Sequence, residues 1–303
     1  MGKMLIEKLL RGCPGINCIY ILIRRKKDKS VPKRMEEIVE NSSFVHVSTA
    51  YANCLQNQIE EKFYNPPMDA DKCIDLMEYM DEKLLDDITP HLLGVWPNTY
   101  VYTKSIAENI LKRHAGVMPI GIFRPGIVLP TYIEPTQGWT DNMNGLVGIT
   151  AGAAMGIIRT NFCDESVNVN IIPGDLTTNV LIVSAWDIAN NRRSTEEIPI
   201  YNYTSTDYPI TYKVFTELAM KNIGLLPTNE ATWYLTFRNI KYQSIYLHVF
   251  STYTTGYYNR YDFLMFRLLK MYKKIYTLSN IFNYFTSSKL NFTNLLKVKR
   301  TVK

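Results

Sequence analysis

Tyr100 and Lys104 stand four residues apart in Asn98–Asn109, NTYVYTKSIAEN, so on a helix a phenol and an ammonium project from one face. That pair can do proton chemistry. A neighbouring cation stabilises a phenolate and lowers its pKa from about 10 towards neutrality, which makes tyrosine a general acid for a carbonyl oxygen taking up hydride. The spacing alone is weak evidence. With 21 tyrosines in the chain, about one such pair arises by chance, and a second exists at Tyr79 and Lys83. That copy lies among Glu78, Asp81, Glu82, Asp86 and Asp87 and reads as a solvated face. What surrounds Tyr100 therefore decides its meaning.

The elements that must position it can be read in order. Residues 3–11, KMLIEKLLR, predict an amphipathic helix stopped by GCPG. INCIYILIR, Ile16–Arg24, is β-branched and apolar, as a parallel strand buried on both faces would be, and it ends in RRKKDK. Helix, turn and buried strand form the second half of a βαβ unit, where the residue after the second strand reads the adenosine ribose. Arg24 or Arg25 in that place suits the 2′-phosphate of NADP(H), while a plain surface charge run gives the same sequence. Gly2, at the mouth of the first helix, holds the position of the last glycine of a GxGxxG turn, although a lone glycine is not diagnostic.

Val31–Glu40 predicts a short polar helix opened by Pro32. Phe44–Val47 then reads as a strand, with His46 packed in it. It ends in Ser48-Thr49-Ala50-Tyr51, so hydroxyls sit at a strand's carboxyl end, where open α/β sheets bind ligands. Residues 57–87 are acidic and polar, with a helix expected over Asp71–Asp87. Thr103–His114 continues the Tyr100 helix on an apolar stripe of Ile106, Ile110 and Leu111, and Met118–Phe123 is a strand entering Arg124-Pro125-Gly126.

Composition sets the outer bounds. A chain of 303 residues with 46% hydrophobic content accommodates one large α/β domain with an appendage, or two domains. Five cysteines without a regular framework, an odd count, read as reduced thiols, and four histidines at no helical spacing assemble no metal site. The net charge of +6 gathers at Arg24–Lys29 and Lys297–Lys303 without a nucleic-acid reader motif, so no nucleic acid is expected as partner. Charges interrupt the apolar run near the start, which reads as no signal peptide. The aromatic stretch Tyr242–Tyr272, broken by His248, Arg260, Asp262, Arg267 and Lys270, suits a membrane interface and not a membrane span.

A strand ending in Ser/Thr, a Tyr-x-x-x-Lys helix and a strand into RPG follow one another as in a short-chain dehydrogenase/reductase site. FVHVSTAY (44–51), PNTYVYTKSIAE (97–108), FRPGIV (123–128), EPTQGWTDNMNG (134–145), IPGDLTTNVLI (172–182) and IPIYNYTS (198–205) together resemble the fatty acyl-CoA reductases, an extended branch of that superfamily. Residues 266–292 resemble the C-terminal domain of the same family. The GWTDN-type loop is more diagnostic than Tyr-x-x-x-Lys, because sugar-nucleotide relatives share only the latter.

The resemblance implies Tyr100 as proton donor and Lys104 as the residue that binds the nicotinamide ribose and lowers the Tyr100 pKa. It makes Thr49, with Ser48, the hydrogen-bond donor to the substrate carbonyl, and it places Pro125 beside the nicotinamide. Gly2, Arg24, Arg25 and Lys104 complete the implied cofactor set, with NADPH as cofactor, and Glu134, Gly138, Trp139 and Asn142 border the substrate. The implied reaction takes a long-chain acyl-CoA through an aldehyde to a primary alcohol with two NADPH. The small-residue run Gly148–Gly156 would border the same tunnel or serve packing alone. The family implies a cytosol-facing endoplasmic reticulum or peroxisomal membrane, and a membrane surface and a second copy of the chain are further candidate partners.

The expected fold is α/β, an incomplete Rossmann-like doubly wound parallel sheet with a mostly helical C-terminal region. Residues 1–235 would form the reductase domain and 236–303 part of the family's C-terminal domain. No strand precedes the first helix, and about twenty residues separate Arg24 from FVHVSTAY, too few for another βαβ crossover, so the chain reads as a partial or internally spliced sequence. Two central strands would then be lost, the phosphate cradle would be incomplete, and weak cofactor binding is expected. Two other functions fit the residues: a catalytically impaired relative that binds acyl chains, membranes or sister subunits, and a sugar-nucleotide dehydrogenase or epimerase.

Overall fold

The computed structural model describes residues 2–12, 43–116, 119–190, 197–225, 228–229, 231, 234–245 and 283–293. The predicted strand Ile16–Arg24 and helix Val31–Glu40 lie outside the described residues, as does the aromatic stretch beyond residue 245. Two compact units divide the chain, the first comprising 1–139, 171–206 and 290–303, the second 140–170 and 207–289. The boundary expected at 235–236 falls inside the second unit.

In the first unit three parallel strands form one sheet, with Ile120–Pro125 between Phe44–Val47 and Ile200–Tyr203. Every residue of the central strand is buried, which is why its sequence runs apolar instead of alternating. Side-chain direction still alternates, and the two faces differ. Phe123 and Tyr201 join Leu181 and Ile188 of helix Gly174–Asn190 in one apolar cluster, against which Leu5 of the first helix packs. Gly121 lies on that face. A Cβ there would stand 2.3 Å from Ile188 Cδ1, so the absence of a side chain lets helix and sheet approach. Arg124, one residue after Phe123, takes the opposite face and meets Glu108 of helix Thr99–His114. Helices thus cover both faces of a parallel sheet.

Local sequence explains the helix limits. The Asn98 side chain accepts from the Val101 N–H at 3.1 Å and opens the Tyr100 helix, while Lys112, Arg113 and His114 in its last turn suit the negative end of the helix dipole. Tyr102 and Ile106 pack that helix on Ala70 of helix Ala70–Tyr79. The single helix expected over Asp71–Asp87 is two, Ala70–Tyr79 and Glu82–Leu93. Asp81 breaks it: its backbone is extended and its carboxylate caps the second helix by accepting from Leu84 N at 2.8 Å. Tyr79 and Lys83 therefore belong to different helices, and Tyr79 is almost wholly exposed.

The second unit holds helices Gly145–Ala154 and Tyr212–Leu225, the parallel pair Thr160–Phe162 with Arg238–Ile240 and an antiparallel pair Asn168–Val169 with Ile210–Thr211. Two glycines of the run Gly148–Gly156 allow close packing. A Cβ at Gly148 would meet the Met143 carbonyl oxygen, and one at Gly152 the Ile158 side chain. Of the C-terminal region expected to be mostly helical, the described residues are strand at Arg238–Ile240 and Asn291–Phe292 and helical at 243–245 and 283–287.

Candidate active site

The carboxyl end of strand Phe44–Val47 and the start of helix Thr99–His114 meet in the first unit. Thr49, buried and extended, caps the one-turn helix Ala50–Asn53 by accepting from Tyr51 N at 3.3 Å. It lies close enough to the Tyr100 phenol for its hydroxyl to favour the phenolate. Lys104 Nζ donates to the Val47 carbonyl at 2.9 Å and stands 6.0 Å from the centre of the Tyr100 ring. Thr49, Tyr100 and Lys104, three of the four residues read as catalytic, are thus one constellation. The fourth, Ser48, is buried beside them in sequence; its N–H donates to Phe123 O at 2.8 Å, and its Oγ has no hydrogen-bond partner among the described residues.

The electrostatics differ from expectation in one respect. The Tyr100 pKa is raised, not lowered: although the residue is about half exposed, neighbouring atoms partly desolvate the phenol and push it up, and Thr49 offsets only part of this. The ammonium expected to lower it is engaged with the Val47 carbonyl and sits over the ring. Burial also lowers the Lys104 pKa, opposed by Glu108, and lowers that of His46, helped by Lys104 and opposed by Glu108. His46 Nε2 is buried without a partner among the described residues.

Beneath the constellation lies a buried polar network that no sequence pattern assigned. Arg124, wholly inaccessible, donates to Glu108 from Nε at 2.9 Å and from Nη2 at 2.7 Å, and to the carbonyls of Glu60 and Lys62 at 3.0 Å each. Asn53 donates to Glu108 at 3.3 Å and accepts from Ser105 Oγ at 3.3 Å. The signal was present in the spacing, since Glu108 follows Lys104 by the same four residues that separate Lys104 from Tyr100.

The remaining candidates are dispersed. Pro125 is buried at the end of the central strand, paired with Tyr203. An added Cβ at Gly2 meets no atom of the described residues within 4 Å. Arg24 and Arg25 lie outside the described residues. Glu134 is ion-paired with Lys8 and with Arg11, the latter at 3.0 Å, and those pairs hold its carboxyl below the usual range. Gly138 (φ 75°) and Trp139 close a loop on Thr131: Gly138 N donates to Thr131 O at 2.8 Å and Trp139 N to Thr131 Oγ1 at 2.9 Å. Asn142 belongs to the second unit, is exposed and accepts from Asn144 N at 2.9 Å.

Asp175, which no motif assigned a role, anchors the same loop. Its carboxylate accepts from the successive N–H groups of Tyr132, Ile133 and Glu134 at 2.9, 2.8 and 3.1 Å. Burial pushes its pKa up, and these bonds outweigh burial and hold it below the ordinary value. Among the described residues no group of three His, Cys, Asp or Glu could hold a metal ion, and no helix is long and apolar enough to cross a membrane.

The sequence pattern described as "NAD_binding_4: Male sterility protein" matches residues 1–44 and 37–181, a stretch that contains Thr49, Tyr100, Lys104, Pro125 and Asp175. "Fatty acyl-CoA reductase wat" of Drosophila melanogaster is 37% identical over 273 residues, 88% of this chain and 52% of that protein. The chain belongs to the fatty acyl-CoA reductase family, within the extended short-chain dehydrogenases/reductases. Another member, "Fatty acyl-CoA reductase 1" of Rattus norvegicus, is 31% identical over 288 residues, 68% of this chain and 56% of that protein. The chain thus spans about half the length of these fatty acyl-CoA reductases. Among solved structures, the terminal R domain of the myxalamid PKS-NRPS pathway aligns over 82% of this chain and 49% of that one, with 12% identity and a TM-score of 0.43.

Proposed function

We propose that this fatty acyl-CoA reductase family member reduces a long-chain acyl-CoA to an aldehyde, with release of free CoA, and then to a primary alcohol, each step consuming one NADPH and one proton. The observation that carries the reading is Lys104, tied to the strand end that leads into Ser48 and Thr49 and standing 6.0 Å from the centre of the Tyr100 ring. Tyr100 gives its proton to the developing alkoxide, and Thr49 with Ser48 hydrogen-bonds the carbonyl oxygen as negative charge gathers on it. A phenol whose pKa is held up keeps its proton at neutral pH, as an acid must.

The residues present fit the nicotinamide half of the cofactor. An ammonium has three donors, of which Val47 takes one, so Lys104 retains donors for ribose hydroxyls. Val47, which takes that bond, pairs with Phe123 in the sheet, so the unpartnered Ser48 Oγ and Pro125 follow at the ends of neighbouring strands. NADPH supplies the hydride when bound. Preference for NADPH over NADH rests on Arg24 and Arg25 in the sequence. Glu134, Gly138, Trp139 and Asn142 remain the proposed substrate border, and a membrane surface and a second copy remain proposed partners, with the cytosol-facing endoplasmic reticulum or peroxisomal membrane as location.

A second reading is a family member that binds acyl chains without turning them over. One experiment separates the two: purified protein with palmitoyl-CoA and NADPH or NADH, products identified by gas chromatography, beside Tyr100→Phe. Fatty alcohol that depends on Tyr100 and on NADPH supports the reductase. Absence of both product and NADPH fluorescence enhancement leaves the second reading.

A further inference from the structure

The chain leaves the first unit after Thr206 and returns to it at Leu290. The returning strand Asn291–Phe292 pairs in parallel with Gln58–Ile59, and Thr293 extends the pairing: its N–H donates to the Ile59 carbonyl at 3.0 Å and its Oγ1 accepts from Gln58 Nε2 at 3.0 Å. A pair of two-residue strands has little stability alone. The main sheet fastens this one. Asn202 of strand Ile200–Tyr203 donates from Nδ2 to the carbonyls of Ile59 and Thr293, at 3.1 and 2.9 Å, and from its N–H to Glu61 Oε1 at 2.8 Å. Arg124, which stands opposite Asn202 in the register, holds the carbonyls of Glu60 and Lys62. Phe292, 5% exposed, then meets Tyr51 edge to face, with ring centroids 5.7 Å apart and planes at 80°. Tyr51 belongs to the one-turn helix that Thr49 caps: its N–H donates to Thr49 Oγ1 at 3.3 Å, and the Ala52 N–H donates to the Thr49 carbonyl at 3.1 Å.

We propose that Phe292 is a positioning residue for Thr49: the returning strand, fastened by Asn202, sets the Phe292 ring against Tyr51 and so fixes the turn in which the Thr49 hydroxyl stands. A strand that only filled space would stabilise the unit as a whole and leave this turn no tighter than the sheet. The role rests on the reading of Thr49 as the residue that hydrogen-bonds the substrate carbonyl, whereas its first readout needs no turnover.

The test is amide hydrogen exchange, followed by NMR in the full chain, in wild type, Phe292→Leu and Phe292→Ala. Leucine keeps apolar volume and the backbone pairing but loses the ring, so exchange at Tyr51, Ala52 and Cys54 is expected to accelerate about 2- to 10-fold, the strength of one aromatic pair, with protection in Ile120–Pro125 retained. Alanine is expected to accelerate it further, and where alanine does not fold, leucine decides. The second readout is kinetic. With palmitoyl-CoA and NADPH, Phe292→Leu is expected to lower kcat by about 10-fold with NADPH affinity unchanged, since a misplacement of about 1 Å costs up to about 10²-fold. Wild-type exchange at the turn in folded Phe292→Leu overturns the proposal, as does acceleration shared equally by the central strand, or a loosened turn with wild-type kcat. A loosened turn in a chain whose wild type reduces no acyl-CoA overturns the reductase reading and leaves the fixing of the turn standing; turnover with an unmoved turn does the reverse.

Discussion

Lys104 Nζ donates to the carbonyl of Val47 at 2.9 Å, tying the Tyr100 helix to the strand that ends in Ser48 and Thr49. The bond fixes where the ammonium stands relative to the phenol. It also places a cation beside His46, the neighbour of Val47 in sequence.

The first prediction concerns that histidine. Burial and Lys104 lower the His46 pKa from 6.5 against the pull of Glu108, so the unfolded chain binds a proton there that the folded chain resists. The contribution of this site to stability is complete above pH 6.5 and is lost as pH falls through the lower folded value. Urea midpoints at pH 7.5 and 5.5 should differ less in His46→Gln than in the wild type.

The buried pair makes an asymmetric prediction. Glu108→Ala strands the Arg124 guanidinium, which is wholly inaccessible, and should cost about 3–5 kcal/mol in urea unfolding. Glu108→Gln/Arg124→Gln should cost less than Glu108→Ala alone, because no buried charge is left unpaired.

Asp175→Ala removes the acceptor of three successive backbone donors. Amide hydrogen exchange at Tyr132, Ile133 and Glu134 should accelerate, with protection in the central strand Ile120–Pro125 retained. The lowered Asp175 pKa gives the sign with pH: the clamp contributes fully above pH 3.8 and is lost as pH falls through the folded value.

Gly121→Ala drives a methyl group into Ile188, whose Cδ1 would lie 2.3 Å away, and should destabilise by about 1–3 kcal/mol. Ile188→Val removes that terminal atom and should recover part of the loss in the double variant.

What could be read from sequence follows from how local each signal is. The Tyr100 helix, the strand Phe44–Val47 and the strand into Arg124-Pro125 carry periodicity, hydroxyls or apolar runs that announce themselves within a few residues, and they form where expected. The Asp81 cap was legible by the same rules, but the acidic run around it masked one aspartate among many. The pKa of Tyr100 was not legible, because it depends on burial and on Lys104 bonding a backbone carbonyl 57 residues away in sequence. Glu108 and Arg124 join across 16 residues and Asp175 reaches back 41 to 43, contacts that no local pattern specifies. Glu134 has the converse lesson: a motif residue expected at the substrate is ion-paired to Lys8 and Arg11 of the first helix.

The central claim is that Tyr100, next to Thr49 and Lys104, is the proton donor of an acyl-CoA reductase. The most direct measurement is the rate of fatty alcohol formation from palmitoyl-CoA at saturating NADPH, in wild type and in Tyr100→Phe. Loss of the phenolic proton should lower kcat by about 10²–10⁴-fold with NADPH affinity changed far less. Alcohol formation by Tyr100→Phe at the wild-type rate would contradict the account.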